Sequence, residues 1–275
     1  MGPKRKGTSM PKVSKIPVPE YELKQPKSDV MPRTPIRGLL VAPSGGFKTT
    51  LLVNLLTNRD MFFSVFSRVY IFSPTIHLDD TWGPVKKMIY EHLGHDEEKE
   101  GPACFEDFDV PAIKRIIQNQ KNLRQHLAAK YAKPHWRGPK VMPQAIIIID
   151  DFSDRPDVLH KTGGDDVLAT LYVKCRHYFI SVLSSVQKFK SIANVVRSNA
   201  TCYFIGRLKS SIELNHGILE EMSAIVDRAT LLEMYQRATR QPHSFFYIDL
   251  SRATGPRFFI NFETELRKSE EEETG

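Results

Sequence analysis

A short segment, VAPSGGFKTTLL at positions 41–52, has residue types that could bind the phosphates of a nucleotide. Lys48 and Thr49 match the end of the pattern G-x-x-x-x-G-K-[ST], in which the lysine reaches the phosphates and the hydroxyl group binds Mg²⁺. Ala42 and Phe47 stand where the pattern has glycine. A strand-like run precedes the segment and a helix-like run follows it, so backbone N–H groups at a helix start would face the phosphates. We expect ATP to be bound by Pro43, Ser44, Gly45, Gly46, Phe47, Lys48, Thr49 and Thr50.

A second candidate group is the acidic pair Asp150 and Asp151, about a hundred residues downstream. The pair ends the run AIIII, which is typical of a strand buried on both faces. This is the Walker B arrangement, in which the first acid holds Mg²⁺ and the second can orient and deprotonate the attacking water. We therefore expect Thr49 and Asp150 to bind Mg²⁺ and Asp151 to act as the base. A strand–turn boundary without chemistry is the alternative, and the presence of Lys48 and Thr49 argues against it.

Gln187 is a third candidate, because it ends the next apolar run, SVLSSVQ. A polar side chain at that place could contact the γ-phosphate or the attacking water. A surface glutamine with no role in catalysis is the alternative.

The elements that must position these residues alternate along the chain. Strand-like runs are IRGLLVA, RVYIFSPT, AIIII, FISVLSSVQ and ATCYFIGRL, and helix-like segments separate them. HSFFYIDLS and RFFINFE indicate a C-terminal β-hairpin, DVPAIKRII indicates a helix capped by Asp109, and HDEEKEGPA indicates a solvated acidic loop. The alternation predicts an α/β fold with a mostly parallel central sheet and helices on both faces. We expect a disordered basic arm at 1–34, an ATPase domain at 35–265 and a disordered acidic tail at 266–275.

Composition limits the classes of function that remain. The formal charge is +7, and residues 1–37 carry nine Lys/Arg against three Asp/Glu, so the remaining chain is close to neutral. The high pI alone therefore does not make the folded body a DNA-binding protein. No apolar run approaches the roughly 20 residues of a membrane span, so we expect no membrane partner. The three cysteines and nine histidines have neither metal-site nor disulfide spacing. PKRK at 3–6 is either a nuclear-localisation type of cluster or a solvated terminus.

The block CRHYFISVLSSVQKFKSIANVVRSNATCYFIG resembles the segment that follows Walker B in the FtsK–HerA superfamily of P-loop ATPases. It is most similar to the poxvirus-type genome-packaging ATPases, including those of Polinton-like viruses. In that family an Arg-His pair opens the strand, a Gln ends it and an Arg-x-Asn follows. YIFSPT and FFYIDL also resemble the family, and the resemblance covers about residues 36–262. Phe47 is the departure, because the family normally keeps glycine before the lysine.

The resemblance implies a RecA-like, ASCE-type fold and an ATP-driven motor that moves double-stranded DNA into a preformed viral capsid. It implies that Arg176 is an arginine finger acting on the ATP of a neighbouring subunit, with Arg197 as the second candidate. Such a finger is worth roughly 10³ to 10⁵ in rate. The working unit would then be a ring, a hexamer or a pentamer, with DNA and capsid or portal proteins as partners. The protein would act in the host nucleus or the virion, and otherwise in the cytoplasm.

Residues that bind DNA need only contact its phosphates, and Lys188, Lys190, Arg207 and Lys209 are candidates. The alternative for each of them is a solvated surface residue without a role in DNA binding. Other functions stay open. A helicase could use the same core, and a nucleotide-binding capsid or portal scaffold without hydrolysis would fit Phe47. A small-molecule kinase would need an Arg-rich lid and a substrate pocket, and a terminase with a fused nuclease would need a second cluster of carboxylates, and the sequence indicates none of these.

Overall fold

The structure is a computed structural model that describes residues 14, 16–159, 166–252, 254–255 and 257–267. Its strands are β1 (Arg37–Val41), β2 (Arg68–Phe72), β3 (Cys104–Phe105), β4 (Ala145–Asp150), β5 (Ile180–Val186), β6 (Cys202–Ile205), β7 (Phe246–Asp249), β8 (Phe258–Ile260) and β9 (Thr264–Glu265). Its α-helices are α1 (Lys48–Thr57), α2 (Gly83–Lys87), α3 (Glu97–Glu100), α4 (Val110–Tyr131), α5 (Pro156–Leu159), α6 (Val167–Lys174), α7 (Asn194–Asn199), α8 (Ser211–Glu213), α9 (Leu219–Met222) and α10 (Arg228–Ala238). Short 3₁₀ or π segments occupy Asp80–Trp82, Met88–His92, Cys175–Tyr178, Phe189–Ser191 and Leu214–Ile218.

The strands form one sheet with the order β3-β2-β4-β5-β1-β6-β7-β8-β9. All pairings from β3 to β6 are parallel, and those from β6 to β9 are antiparallel. The predicted α/β class, the mostly parallel sheet and the C-terminal hairpin are confirmed. The structure adds β9, a third strand after the hairpin.

Helices cover both faces of the sheet, as predicted. The chain moves in one direction across the sheet from β1 to β3 and in the other from β3 to β6. Because crossovers between parallel strands are right-handed, the two directions put their helices on opposite faces. In agreement, α1 contacts α2, while α4 and α7 each contact α6. The central strands β4 and β5 are buried along their whole length between these layers.

The sequence segment at 21–34 belongs to the folded domain, although it was expected to be part of the disordered arm. Met31 is 1% exposed, and the Tyr21 ring lies edge-on to Phe179 at 6.0 Å. Glu22 forms a bridge with Val141. The few apolar side chains of this segment find places on the domain, so packing outweighs its polar composition. Residues 14 and 16–20 of the predicted arm are described and exposed, whereas residues 1–13 and 15 and residues 268–275 of the predicted tail lie outside the described residues.

The helices α4, α6 and α10 each begin at an aspartate that caps the first turn. Asp109, Asp166 and Asp227 cap α4, α6 and α10, each accepting a hydrogen bond from a backbone N–H of the first turn. The cap predicted at Asp109 is confirmed. Among the helices in the described ranges, none is long and apolar enough to cross a bilayer.

Candidate active site

The carboxyl edge of the sheet brings the predicted chemistry together. Strands β4, β5 and β1 are neighbours and parallel, so the residues after each strand meet at this edge. The loop carrying Lys48 follows β1, Asp150 and Asp151 end β4, and Gln187 ends β5. In open α/β sheets this edge is where ligands bind.

The loop from 42 to 47 delivers the start of α1 without a side-chain cap. Phe47 is the N-cap residue of α1, and it supplies no capping hydrogen bond. No acidic side chain lies in the first turn. Because the first N–H groups of a helix have no acceptor within the helix, those of α1 are open to an anion such as a phosphate. Gly45 has φ +72°, a left-handed conformation that glycine adopts without strain.

Lys48 lies beneath this loop and is buried. Its Nζ atom donates to the carbonyl oxygens of Ala42, at 3.0 Å, and Pro43, at 3.2 Å. The ammonium group is therefore held at the loop by two neutral acceptors. Its charge acts to lower the pKa of Asp150, at the end of β4.

The side chain of Phe47 is buried in the core behind the loop. The ring stacks on Phe245 with centroids 4.9 Å apart and is buried in the core, and φ is −84°. A Cβ atom at Gly206 would lie 2.5 Å from this ring and 2.9 Å from Cβ of Ala42. Glycine at 206 thus makes room for phenylalanine at 47. Of the predicted ATP-binding residues, Phe47 can contribute only its backbone.

The predicted metal ligands lie side by side. Oγ1 of Thr49 and Oδ2 of Asp150 are 3.4 Å apart. Ser185 and Ser73, at the ends of β5 and β2, both donate to the Asp150 carboxylate. A hydroxyl group and a carboxylate are the hard oxygen ligands that Mg²⁺ prefers, and bound phosphates and water complete its shell in such sites. The donor set therefore fits Mg²⁺.

The pKa of Asp150 is raised above its usual value, chiefly because the carboxyl group is buried. The hydrogen bond from Ser185 opposes this shift, the negative charge of Asp151 adds to it, and the charge of Lys48 opposes it. A buried carboxylate with a raised pKa gains most from a cation placed next to it.

Asp151 and Gln187 form a direct pair. Nε2 of Gln187 donates to both carboxylate oxygens of Asp151, at 3.1 and 3.2 Å, and Ser153 donates to one of them at 2.9 Å. Asp151 has φ +53°, and its backbone N–H donates to Oγ of Ser185 at 3.1 Å. Unusual backbone geometry of this kind turns a side chain out of the strand direction and clusters at active sites.

The two predicted arginines are elsewhere. Arg176 is exposed in the segment before β5, at the amino edge, and the seven residues of β5 separate it from Gln187 by roughly 20 Å. It cannot reach the nucleotide site of its own chain, so its expected role requires a neighbour. Arg197 is already engaged: it pairs with Glu221 at 2.6 Å, donates to the carbonyl of Ile192 and lies 5.3 Å from the Phe189 ring centroid. These contacts engage Arg197 within its own chain, and its catalytic role stays a prediction.

The four candidate DNA contacts lie in loops at the carboxyl edge. Lys188 and Lys190 follow β5, and Arg207 and Lys209 follow β6. All four are exposed. A cavity of about 400 Å³ opens beside the phosphate loop on the β6 side, lined by residues 42–47, Gly206, Arg207 and 240–244.

Sequence reasoning missed four residues of the site: Ser73, Ser185, Gly206 and Phe245. The hydroxyl residues in the apolar run SVLSSV were a usable signal, because a buried strand carries polar side chains only where they find partners. The coupling of Phe47 to Gly206 and Phe245 had no signal in the sequence, since it depends on contacts between distant segments.

No family model matches the chain. The protein named Uncharacterized protein 088R of Invertebrate iridescent virus 3 is 25% identical over 144 residues, which is 52% of this chain and about half of that relative's length, 48%. Among solved structures, the genome packaging NTPase B204 from Sulfolobus turreted icosahedral virus 2, in complex with ATP-gammaS, is 12% identical with a TM-score of 0.49, covering 80% of this chain and 94% of that one. EssC (ATPases 2 and 3) from Geobacillus thermodenitrificans is 12% identical with a TM-score of 0.48, covering 74% and 42%.

Proposed function

We propose that this protein binds ATP with Mg²⁺ at the carboxyl edge of its sheet and hydrolyses it. The observation that carries the proposal is the meeting, at one edge, of an uncapped helix start, the buried Lys48 and the paired carboxylates Asp150 and Asp151. Any one of these occurs in proteins without catalysis. They follow β1 and β4, which flank β5 in the parallel part of the sheet, and phosphoryl transfer uses such groups together.

The residues divide the work. Backbone N–H groups of the loop and of the first turn of α1 hold the phosphates, and Lys48 turns from its two carbonyl acceptors to the β and γ oxygens. Thr49 and Asp150 hold Mg²⁺, which neutralises charge on the phosphates when bound. Asp151 accepts a proton from the attacking water, and Gln187, bonded to it, orients that water. The cavity beside the loop has room for the nucleoside part.

The work coupled to hydrolysis is, in this proposal, the movement of double-stranded DNA into a preformed viral capsid by a ring of subunits. Its support is the segment from 175 to 206, which resembles the poxvirus-type packaging ATPases. The relative from an iridescent virus agrees with a viral origin. Action in the host nucleus or the virion, and docking on capsid or portal proteins, belong to the same proposal.

A scaffold that binds nucleotide without hydrolysis is the second candidate. Its main support was Phe47 beside the lysine, and the packing of that ring on Phe245 weakens it, because the phosphate side of the loop stays free of the ring. A helicase on the same core differs from the packaging motor in separating strands, which an unwinding assay detects.

The test is steady-state ATP hydrolysis by the purified chain, with and without linear double-stranded DNA. We expect DNA to stimulate hydrolysis in the wild type. Lys48→Ala should abolish both rates, since the phosphates lose their cation. Asp151→Asn should bind ATP and lose hydrolysis, and asparagine tolerates the left-handed backbone at this position, so the change tests the carboxylate rather than the fold.

The outcomes separate the candidates. Hydrolysis that is unchanged in Lys48→Ala would refute the loop assignment. ATP binding without any hydrolysis, also with capsids present, would favour the scaffold.

A further inference from the structure

One stretch of the folded domain carries cations without any carboxylate. Residues 110–144 contain eight Lys/Arg and no Asp/Glu. Because the whole chain carries +7, the other residues together carry −1. The near-neutral body inferred from the sequence therefore hides a strongly basic region, which includes helix α4 and the turn after it.

This region projects from the amino edge of the sheet, away from the nucleotide site. Nε2 of Gln120 donates to the carbonyl oxygen of Pro143 at 2.7 Å, and Pro143 lies just before β4 begins. The helix continues for eleven residues beyond Gln120, to Tyr131. At about 1.5 Å per residue these add roughly 16 Å of helix. We call residues 121–140 the α4 platform.

The α4 platform is held in a fixed shape. The Tyr131 hydroxyl donates to the carbonyl oxygen of Val141 at 2.6 Å, and the Trp136 indole N–H donates to that of Gly138 at 2.7 Å. The two rings lie 5.0 Å apart, and Lys130 lies 4.9 Å from the centroid of Trp136. The turn that carries several of the cations is therefore ordered before any partner arrives.

The cations of the α4 platform form no ion pair with a carboxylate of the described residues. Within the described part of the chain, no ion pair is made by Lys121, Arg124, Lys130, Lys133, Arg137 or Lys140. Nε of Arg124 is buried and has no hydrogen-bond acceptor. Exposed helices usually intersperse acids at i,i+4, and like charges at that spacing destabilise a helix. The helix dipole favours Lys130 in the last turn only, so it does not account for the rest.

We propose that the α4 platform binds the phosphate backbone of double-stranded DNA, independently of sequence. The choice of DNA rests on the proposed function, since an acidic protein surface would also meet these charges. A group of lysines and arginines without acids suits a duplex, which offers one negative charge per roughly 1.7 Å. Such contacts position a protein on the duplex without reading bases. The contact lies on the opposite edge from Lys188, Lys190, Arg207 and Lys209.

The test measures binding of the full chain to a labelled 30-base-pair duplex over a series of salt concentrations. The variant combines Lys121→Gln, Lys133→Gln and Lys140→Gln, three side chains without a hydrogen bond or ion pair in the structure. Because each lost phosphate contact removes about one from the slope of log K against log salt, the slope should become less negative by about three. At low salt the affinity should fall about tenfold or more.

The matched control combines Lys86→Gln, Lys87→Gln and Lys99→Gln, which removes the same charge from a face where Lys87 and Lys99 pair with carboxylates. It should bind DNA nearly as the wild type does. Both variants should keep DNA-independent ATP hydrolysis, which reports that the fold and the nucleotide site are intact. Equal binding by the variant and the control would overturn the proposal, as would a variant that binds DNA normally but no longer self-associates. If the wild type shows no ATP hydrolysis, this would instead contradict the proposed function.

Discussion

At the scale of single residues, Phe47 shows how a departure from a motif can be absorbed. The sequence placed a bulky side chain next to the phosphate-binding lysine. In the structure its backbone keeps a negative φ, and its ring leaves the loop to stack on Phe245. The loop therefore keeps its shape on the phosphate side, while the ring contributes to the core.

Phe47→Ala should accordingly act on stability. Removing a buried phenylalanine ring lowers the free energy of unfolding by about 3–5 kcal/mol. Urea denaturation measures this, with Leu78→Ala as the control, because Leu78 is 81% exposed and its loss should matter little. A variant as stable as the wild type, with tighter ATP binding, would mean that the ring obstructs the phosphates instead.

At the scale of elements, the acidic segment after the π segment is more than solvated loop. Residues 97–100 form α3, and Glu100 makes a two-point contact with Arg68 at the start of β2, one of its bonds being 2.8 Å. His95 is buried beside it, 2.8 Å from the carbonyl oxygen of Gly101. These contacts fix the edge of the sheet where β3 is only two residues long.

The contact predicts a pH-dependent stability. Burial acts to raise the pKa of Glu100, but the hydrogen bond and charge of Arg68 outweigh it, so the pKa lies below 4.5. A carboxyl group with a lowered pKa stabilises the fold above its unfolded value, and this is lost as the pH falls through the folded value. Glu100→Gln should therefore lower the free energy of unfolding by about 1 kcal/mol at pH 7. The difference from the wild type should shrink below pH 4.5.

Urea denaturation at pH 7 and at acid pH tests this. Glu98→Gln is the control, because Glu98 is exposed and only its backbone N–H makes a hydrogen bond. A difference that is constant with pH would mean that Glu100 contributes by packing rather than by charge.

The elements also show what the sequence could predict. Continuous β-branched runs such as Ala145–Asp150 and the cap at Asp109 are local signals, and they located the strands and the start of α4. The loop residues, the acidic pair and Gln187 were predicted from motifs at the ends of strand-like runs. In the structure they lie at one edge, because parallel strands end at a common edge. The packing of 21–34 and the contacts of Arg197 could not be predicted, since they depend on side chains that are distant in sequence.

At the scale of the whole molecule, the two edges of the sheet carry different candidate functional residues. The proposed nucleotide site lies at the carboxyl edge, whereas Arg176 and the α4 platform lie at the amino edge. The guanidinium carbon of Arg124, in the α4 platform, lies 5.9 Å from the Phe179 ring centroid. Phe179 directly follows the segment Cys175–Tyr178, which contains Arg176. An arginine finger at Arg176 therefore requires that subunits meet with the amino edge of one near the carboxyl edge of the next.

Arg176→Ala tests this arrangement through mixing. If Arg176 serves the neighbour, each mutant subunit inactivates the wild-type site beside it. The activity of wild-type and mutant mixtures should then fall more steeply than the mutant fraction. Lys174→Ala, an exposed change two residues earlier, should leave the activity unchanged. A strictly proportional fall for Arg176→Ala would exclude a role in trans.

The contact between Phe47 and Gly206 has a consequence for how sequences of this kind can diverge. Any side chain at 206 would overlap the ring, while a glycine at 47 would remove the nearer of the two obstacles and leave Cβ of Ala42. The two positions, 159 residues apart in the chain, are thus not free to change independently. Homologues with phenylalanine at the first position should keep glycine at the second, and those with glycine at the first should vary more at the second. Positions 47 and 206 should therefore change together, and an alignment of homologues would show this without any structure.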